Sequence, residues 1–339
     1  MSIISDLFRM ILNGITSFVG NYGVAVVLFT ILVRIVLLPL DIKSKKSMRA
    51  MTRIQPKVQE LQTKYGKDQE KLNQKTMELY KKEKISPMAG CLPLLIQLPV
   101  LWFMFAAMRE VANEQTVRMI LDLAEQAKQG LECVPQLQSF LWIKNVFQPD
   151  SFCTILPAFG DKLSAISAVS GSSILTAENI EAARAFLNTD TYQALAAAYG
   201  AGDFIAYPIP VLVTTLYITL PNSLSALLHS TNGLFILPVL AALSQFLMTK
   251  FTGGSQPKQD ENASQEQQAA ANAMNSGFMK WFFPLFSLWI CAGYNAAFAI
   301  YWMAANVIQV VQQIIVNWYF DRQDRKAALE EEGADASIK

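Results

Sequence analysis

One arginine lies in the middle of a long apolar segment, where its charge needs a compensating environment. Residues 21–41 are almost wholly apolar, and about 20 residues at a rise of 1.5 Å are enough to cross a bilayer. Arg34 lies inside this segment, and an arginine cannot give up its proton to avoid burial. At the centre of a membrane helix it costs at least about 2.5–3.5 kcal/mol. The chemistry suggested is electrostatic attraction of an acidic group within a membrane.

Two environments would compensate the charge of Arg34. The side chain reaches water at the membrane interface, or it faces a polar cavity between helices. The next basic residue, Lys43, lies nine positions further on, which is about 13 Å of helix. This distance is longer than an arginine side chain comfortably covers, so we expect the polar cavity.

Glutamine side chains interrupt two other apolar segments. Gln97 lies between Pro93 and Pro99, and a proline inside a span frees backbone carbonyls that need other partners. Gln245 lies within the apolar segment 233–250. Both positions suit the wall of a polar cavity, although the prolines also fit a plain packing kink.

The last apolar segment carries polar side chains on one helix face. Asn306, Gln309 and Gln313 are spaced by three and four residues, so they lie above one another on a helix. Polar residues on one face of a span either join helices by hydrogen bonds or line water. Tyr301 and Trp302 precede them in the same segment.

Composition is that of a membrane protein with a sizeable polar part. Of 339 residues, 52% are hydrophobic and 16% are charged, whereas soluble domains carry about 25% charged residues. The net charge of +1 gives no indication of nucleic-acid binding. One histidine and four cysteines without a CxxC or His/Cys cluster predict no metal site and no cofactor.

Apolar segments, turn residues and charge divide the chain into an N-terminal amphipathic helix, five spans and the segments between them. We expect an all-α polytopic membrane protein with its N-terminus outside, its C-terminus in the cytoplasm and no cleavable signal peptide. The segments are 1–20 (amphipathic interfacial helix), 21–41 (first span), 42–88 (cytoplasmic helical hairpin), 89–109 (second span), 110–232 (extracytoplasmic), 233–250 (third span), 251–278 (flexible cytoplasmic loop), 279–296 and 298–320 (fourth and fifth spans, joined by a tight turn at 293–295) and 321–339 (disordered cytoplasmic tail).

The segment 42–88 is strongly basic, with 13 Lys/Arg against 5 Asp/Glu. Its narrow apolar seam and the turn at Gly66 predict a helical hairpin whose second helix runs from about Asp68 to Glu83. The positive-inside rule places it in the cytoplasm. Two roles for this segment are compatible with the sequence. It could contact anionic lipid headgroups, or it could be a docking platform for a partner.

The segment 109–232 holds 6 Lys/Arg and 11 Asp/Glu, which places it on the other side of the membrane. Within it, Thr176–Tyr199 reads as one amphipathic helix capped by Thr176. Residues 204–228 are apolar but interrupted by prolines, so we expect a packed or interfacial segment rather than a span. Pairing of Cys133 with Cys153 stays open.

The run LVRIVLLPLDIKSKKSMRAMTRIQPKVQELQTKYGKDQEKLNQKTMELYKKEKISPMAGCLPLLIQLPV resembles the YidC/Oxa/Alb membrane protein insertase family. The segments FLWIKNVFQPDS, ILPVLAALSQFL and AIYWMAANVIQVVQQ are similar to further family segments in the family's order, and together they cover roughly residues 20–320. The resemblance implies an insertase and chaperone with a hydrophilic groove open to the cytoplasm and to lipid, in the bacterial plasma membrane.

By motif, the resemblance carries the groove arginine to Arg34 and the last-span substrate contacts to Tyr301, Trp302 and Asn306. It matches Gln97 and Pro99 to second-span positions, and we add Gln245 and Gln309 to the substrate groove. Nascent membrane proteins, the Sec translocon, lipids, and the ribosome or signal recognition machinery through 42–88 are the expected partners.

Two features depart from the family pattern. About 80 residues, 152–231, are inserted where the family has a short loop, and the tail lacks a strongly basic extension.

Three other classes of protein were weighed against an insertase. A transporter would need coupling acids in the spans, and an enzyme would need a nucleophile–base pair or a metal motif, neither of which the sequence shows. We therefore expect that this protein is not an enzyme. A folding and assembly chaperone without insertase activity remains the main alternative, because it would use the same surface.

Overall fold

A computed structural model describes residues 3–66, 68–83, 92–157, 166–211, 214–253 and 277–338. Helices make up most of this part of the chain. They are α1 (Ile3–Val19), α2 (Tyr22–Tyr65), α3 (Gln69–Lys82), α4 (Leu92–Lys128), α5 (Ala177–Leu187), α6 (Asp190–Ala198), α7 (Leu224–His229), α8 (Ile236–Gly253), α9 (Gly277–Gly293) and α10 (Ala296–Ile338). An antiparallel hairpin of β1 (Phe204–Val211) and β2 (Thr214–Pro221) is the sheet found among the described residues.

The chain forms two compact units. The first unit comprises Met1–Thr30, Pro99–Ala242 and Leu285–Met303, and the second unit comprises Ile31–Leu98, Leu243–Pro284 and Ala304–Lys339. The N-terminal helix and the segment 152–231 belong to the first unit. The basic hairpin and the C-terminal tail belong to the second unit.

The predicted amphipathic helix is confirmed as α1, and Gly20 ends it with a backbone φ of 76°. One side of α1 packs within the first unit, where Leu12 is buried and the Arg9 guanidinium lies 2.9 Å from the Glu110 carboxylate. The other side leaves Met10 and Phe18 exposed, at 66% and 92%. Helix α1 therefore joins the protein by one face and offers an apolar face outward.

The first span and the first arm of the basic hairpin form one continuous helix, α2. The predicted boundary at residue 41 is therefore a change in composition and not a helix end, and the helix continues through Pro39 and Pro56. The predicted turn at Gly66 is confirmed, and the Asp68 side chain caps α3 by accepting from the Lys71 N–H at 3.1 Å.

Helix α4 continues about 20 residues beyond the predicted second span and becomes a packing surface for the first unit. Buried side chains of its C-terminal part pack against the segment 152–231. This core contains Val117, Met119, Ile120, Leu123, Leu156, Ile166, Leu175, Ile180, Ala183, Phe186, Leu187, Tyr192 and Ala196. The segment 152–231 thus shares a hydrophobic core with α4.

The single helix predicted over Thr176–Tyr199 is two helices, α5 and α6. Thr176 caps α5 as predicted, because its hydroxyl accepts from the Asn179 N–H at 3.1 Å. The prediction of one helix was wrong because Asn188 and Thr189 form a turn, where the Thr189 hydroxyl caps α6.

Strands β1 and β2, at Phe204–Val211 and Thr214–Pro221, form the β-hairpin, which an all-α prediction does not contain. The register pairs Phe204 with Pro221 and Val211 with Thr214. The short helix α7 follows at Leu224–His229. The described part of 204–229 therefore contains no spanning helix, in agreement with the sequence prediction of a packed or interfacial segment. Cys133 and Cys153 are not joined by a disulfide; their sulfur atoms contact the carbonyls of Leu123 and Pro149.

One buried carboxylate fastens the beginning of α8. Asp150 is completely buried and accepts from the backbone N–H groups of Phe235 and Leu237, at 3.1 and 2.6 Å, and from the indole N–H of Trp142 at 3.1 Å. A carboxylate at a helix N-terminus satisfies donors that have no partner inside the helix. Gly233 is required beside it, because a Cβ there would collide with the Asp150 carboxylate.

The Asp150→Ala substitution should lower the free energy of unfolding by roughly 3 kcal/mol, because it leaves buried N–H groups without an acceptor. Denaturant unfolding in detergent micelles measures the change. The matched control is Asp190→Ala, at an exposed position in the first turn of α6, which should change stability by less than about 0.5 kcal/mol. Equal effects of the two substitutions would contradict the role assigned to Asp150.

The predicted disordered tail is helical from 321 to 338, as the end of α10. The prediction of disorder was wrong because the acidic residues at the start of the tail pair with basic residues of α2, which are distant in sequence. Arg49 of α2 lies 2.6 Å from the Asp321 carboxylate and 3.1 Å from that of Asp324, and Arg53 also pairs with Asp324. The Arg49 guanidinium also lies 5.2 Å from the centre of the Phe320 ring. Most of the predicted loop 251–278 lies outside the described residues.

Replacing Asp321 and Asp324 together by Asn should loosen the end of α10, because exposed ion pairs are what ties it to α2. We expect faster amide hydrogen exchange over 321–338 and faster tryptic cleavage after Arg325. Raising the salt concentration should accelerate exchange in the parent protein and change the double variant much less. Unchanged exchange in the variant would show that the ion pairs do not hold the helix.

Candidate functional site

The second unit exposes apolar side chains and buries polar ones, the reverse of a water-soluble domain. Its helices α2, α8 and α10 leave large apolar side chains exposed, namely Ile31, Leu32, Ile35, Val36, Leu243, Phe246, Leu247, Val307, Val311, Ile314 and Ile315. Arg34, Lys45, Ser244 and Asn306 are each 7% exposed or less. This arrangement suits a surrounding solvent of lipid, since an exposed apolar surface this large is unfavourable in water.

Helix length and hydropathy agree with that environment. Two helices are long and apolar enough to cross a membrane, Tyr22–Tyr65 and Ala296–Lys326. Two shorter apolar helices, Ile236–Phe251 and Trp281–Gly293, accompany them among the described residues. These four correspond to the first, fifth, third and fourth predicted spans.

A stripe of charged side chains runs along one face of α2. Arg34, Asp41 and Lys45 are separated by seven and four residues, so they lie nearly in line on the helix. Arg34 and Lys45 are 7% and 6% exposed. Burial lowers the pKa of Lys45, which lies beyond the apolar segment 21–41, below that of an ordinary lysine. This low exposure of Arg34 agrees with an interior position and not with a side chain extended to water.

Asn306 joins α10 to α8 within the second unit. Its side-chain amide donates to the Ser244 hydroxyl and to the side-chain carbonyl of Gln245, each at 3.1 Å. Gln309, one turn further along α10, is half-buried. The structure thus brings together two residues that the sequence assigned to the groove, Gln245 and Asn306, through a hydrogen bond.

A second hydrogen bond joins α10 to α2. The Gln312 amide donates to the Asp41 carboxylate at 2.8 Å. At the next position along α10, the side-chain oxygen of Gln313 is buried without a hydrogen-bond partner among the described residues. Buried amide groups of this kind are costly unless water or another polar group reaches them.

We name this polar group the polar stripe; it comprises Arg34, Asp41, Lys45, Ser244, Gln245, Asn306, Gln309 and Gln312. Asp41, Lys45, Ser244 and Gln312 are not among the groove residues that the sequence predicts. Asp41 and Lys45 were counted as the end of a span and as part of a basic cluster. Their spacing of 7 and 11 residues from Arg34 was the available signal, since both intervals return to the same face of a helix.

The remaining predicted groove residues belong to other parts of the chain. Tyr301 and Trp302 lie in the first unit, where Tyr301 is 3% exposed and the Phe298 ring packs 5.6 Å from the Trp302 ring. The indole nitrogen of Trp302 is buried without a hydrogen-bond partner among the described residues. Pro99 is exposed, and the side chain of Gln97 lies outside the part of the chain whose side chains are described.

These features define an α-helical membrane protein with polar and charged side chains buried between apolar helices. The family model described as 60Kd inner membrane protein matches residues 14–232 and 223–323, which is most of the chain. The chain therefore belongs to this family, the YidC/Oxa/Alb membrane protein insertases, which are not classical enzymes.

Individual relatives agree with this assignment. A membrane protein insertase YidC of Fusobacterium nucleatum subsp. nucleatum is 35% identical over 163 residues, 48% of this chain and 68% of the relative. One from Caldanaerobacter subterraneus subsp. tengcongensis is 48% identical over 109 residues, 32% of this chain and 53% of the relative. One from Oleidesulfovibrio alaskensis is 52% identical over 84 residues, 25% of this chain and 16% of the relative. The aligned part thus ranges from two thirds to less than a fifth of a relative's length.

The hydrogen bond between Asn306 and Ser244 should be measurable as a coupling free energy between α10 and α8. In a double-mutant cycle of Asn306→Ala and Ser244→Ala, we expect a coupling of about 0.6 kcal/mol, the mean for hydrogen bonds between membrane helices, whose largest values reach about 1.7 kcal/mol. Unfolding in mixed micelles provides the free energies. The control cycle pairs Asn306→Ala with Gln312→Ala, which have different partners and should be additive within about 0.5 kcal/mol. Equal coupling in both cycles would refute a direct interaction.

Proposed function

We propose that this chain inserts hydrophobic segments of newly made proteins into the lipid bilayer, and that the polar stripe is the surface over which polar parts of the substrate pass. The observation that supports this most strongly is the pair of buried cations, Arg34 and Lys45, on one face of α2. Arg34 lies within the apolar segment 21–41, and charges inside a membrane are expensive and therefore mostly functional.

The physical problem of insertion is the polar part of the substrate. Each unpaired backbone group costs several kcal/mol in hydrocarbon, so a polar tail crosses a bare bilayer very slowly. Amide, hydroxyl and charged groups of the polar stripe offer hydrogen bonds partway across, which shortens the distance left to cross. The apolar segment of the substrate then moves sideways into lipid, with a gain of roughly 25 cal/mol per Å² of apolar area removed from water.

The two cations would select acidic substrates. A carboxylate 4 Å from a buried cation is attracted by about 4 kcal/mol at an effective dielectric constant of 20. Lys45 lies eleven positions from Arg34, which is about 16 Å along α2. An acidic tail would therefore meet Lys45 first and Arg34 deeper in the membrane.

The topology that goes with this proposal has five spans in the bacterial plasma membrane, with the N-terminus outside and the C-terminus in the cytoplasm. The basic hairpin of α2 and α3 would then face the cytoplasm, where anionic lipids, the ribosome or the signal recognition machinery can contact it. Cooperation with the Sec translocon and contacts of substrate with Gln97, Pro99, Tyr301 and Trp302 remain predictions that rest on the family resemblance.

The decisive experiment compares insertion of a short single-span protein with an acidic tail into proteoliposomes. Arg34→Ala should reduce insertion by at least about tenfold, because a loss of 1.4 kcal/mol already corresponds to that factor. Arg34→Lys should retain most activity, and Lys45→Gln should cause an intermediate loss. The matched control is Lys46→Gln, which removes the same charge from an exposed position of α2 and should leave insertion nearly unchanged.

The other outcomes separate the alternatives. Equal insertion by the parent protein and Arg34→Ala would keep an insertase but refute the electrostatic role of Arg34. No gain of the parent protein over empty liposomes would refute autonomous insertion and favour a folding chaperone that works with the Sec translocon. A substrate with a neutral tail should be nearly insensitive to Arg34→Ala.

A further inference from the structure

The inserted segment carries an apolar surface that its own core does not cover. Residues 204–221 contain no charged residue. At the base of the hairpin, Ile205 and Leu220 are paired across the two strands and are 45% and 37% exposed. On α7, Leu224 and Leu228 follow one another at helical spacing and are 72% and 54% exposed. We name these four side chains the apolar rim.

The apolar rim is held close to the beginnings of two apolar helices of the first unit. The Lys144 ammonium donates to the carbonyl of His229 at 2.6 Å, which fixes the end of α7. Four positions further along, the Gln148 carbonyl accepts from the Ala296 N–H at 2.9 Å, at the start of α10. Four residues of chain span at most about 14 Å. The end of α7 and the start of α10 are therefore bonded to the same short loop.

Further bonds fix the same loop to α8. Asn232 is completely buried and its amide donates to the carbonyls of Asn145 and Pro149, at 2.9 Å each. Asp150 binds the first backbone N–H groups of α8, as described above. Asp203, which precedes β1, accepts from the Ser230 hydroxyl at 2.5 Å and so ties the hairpin to the end of α7. The rim and the starts of both helices thus form one bonded assembly.

The backbone of the hairpin disfavours a further strand along β1. Pro208 and Pro210 lie within β1, opposite Tyr217 and Thr215. A proline is tolerated inside a strand where its nitrogen faces away from the partner strand, so the outer edge of β1 lacks two donors. Prolines at an edge are a usual protection against strand addition. Coverage of this side by a strand from a second copy or from a substrate is therefore disfavoured.

We infer that the apolar rim is a lipid-contacting anchor, which rests in the headgroup and upper acyl region of the membrane at the end where α8 and α10 begin. Exposed aliphatic side chains partition into this region, where the Lys144 ammonium that bonds the Leu228 and His229 carbonyls can remain near the headgroups. A two-stranded hairpin has little stability of its own in water, and the membrane surface would supply the missing cover. Unpaired strand edges keep it out of the hydrocarbon core. This inference requires only that the chain is embedded in a membrane and is independent of insertase activity.

The test measures contact of single positions with lipid. Single cysteines at Leu224, Leu228 and Ile205 are introduced into the full chain with its four native cysteines replaced by alanine, and each is labelled with the fluorophore NBD. The protein is reconstituted into vesicles of phosphatidylcholine and phosphatidylglycerol with or without phosphatidylcholine brominated near the top of its acyl chains. The matched control is a label at Gln193, an exposed position on α6.

Bromolipid should quench the labels on the apolar rim several-fold more than the label at Gln193. Adding Leu224→Glu to the chain labelled at Leu228 should reduce the quenching, and Leu224→Val should preserve it. Quenching on the rim no greater than at Gln193 would overturn the inference. Fluorescence changes that depend on protein density would indicate contact with a second copy and would also overturn the inference. Fluorescence changes that occur only with added substrate would overturn it as well. Retention of the parent unfolding midpoint by each variant excludes misfolding as the cause.

Discussion

The second unit depends on one constraint: two cations that are buried among helices whose outer faces are apolar. Arg34 and Lys45 are each 7% exposed or less, while Ile35 and Val36 beside Arg34 are 63% and 68% exposed. In water this arrangement would be unfavourable twice over, through the buried charge and through the exposed aliphatic surface. In a bilayer the second penalty becomes a gain, and only the buried charge still needs compensation. Arg34 and Lys45 each interact with another group of the protein, so neither charge is isolated.

Hydrogen bonds between side chains of the polar stripe join α10 to α8 and to α2. Lipid is as apolar as leucine, so apolar burial alone gives membrane helices little reason to associate. The bonds from Asn306 to Ser244 and from Gln312 to Asp41 each tie α10 to a different neighbour. At the position after Gln312, the Gln313 side-chain oxygen has no hydrogen-bond partner among the described residues. The polar groups of this surface are therefore only partly satisfied by one another.

Much of this organisation could be predicted from local sequence. The amphipathic α1, the turn at Gly66, the cap at Thr176 and the tight turn before α10 each follow from a few neighbouring residues. The misses concern contacts between distant residues. The helical tail depends on Arg49 meeting Asp321, 272 residues apart, and the membership of Asp41 and Lys45 in the polar stripe depends on which face of α2 is covered. The β-hairpin was missed because an apolar run with prolines suits an irregular segment as well as an edge strand.

In the first unit, hydrogen bonds from loop residues fix the positions at which α8 and α10 begin. Buried Asp150 and the carbonyls of Val146 and Gln148 accept from backbone N–H groups at the starts of α8 and α10, which have no partner inside those helices. The buried Asn232 amide donates to two carbonyls of the same loop. Ends of spanning helices that are bonded in this way cannot slide along the bilayer normal independently of one another. A segment of about 80 residues can therefore be added to the same loop without disturbing the spans, provided that it brings its own core. The packing of α5 and α6 on the extended part of α4 supplies that core. What the core leaves uncovered, the apolar rim, lies beside the fixed helix ends, where lipid is the nearest apolar phase.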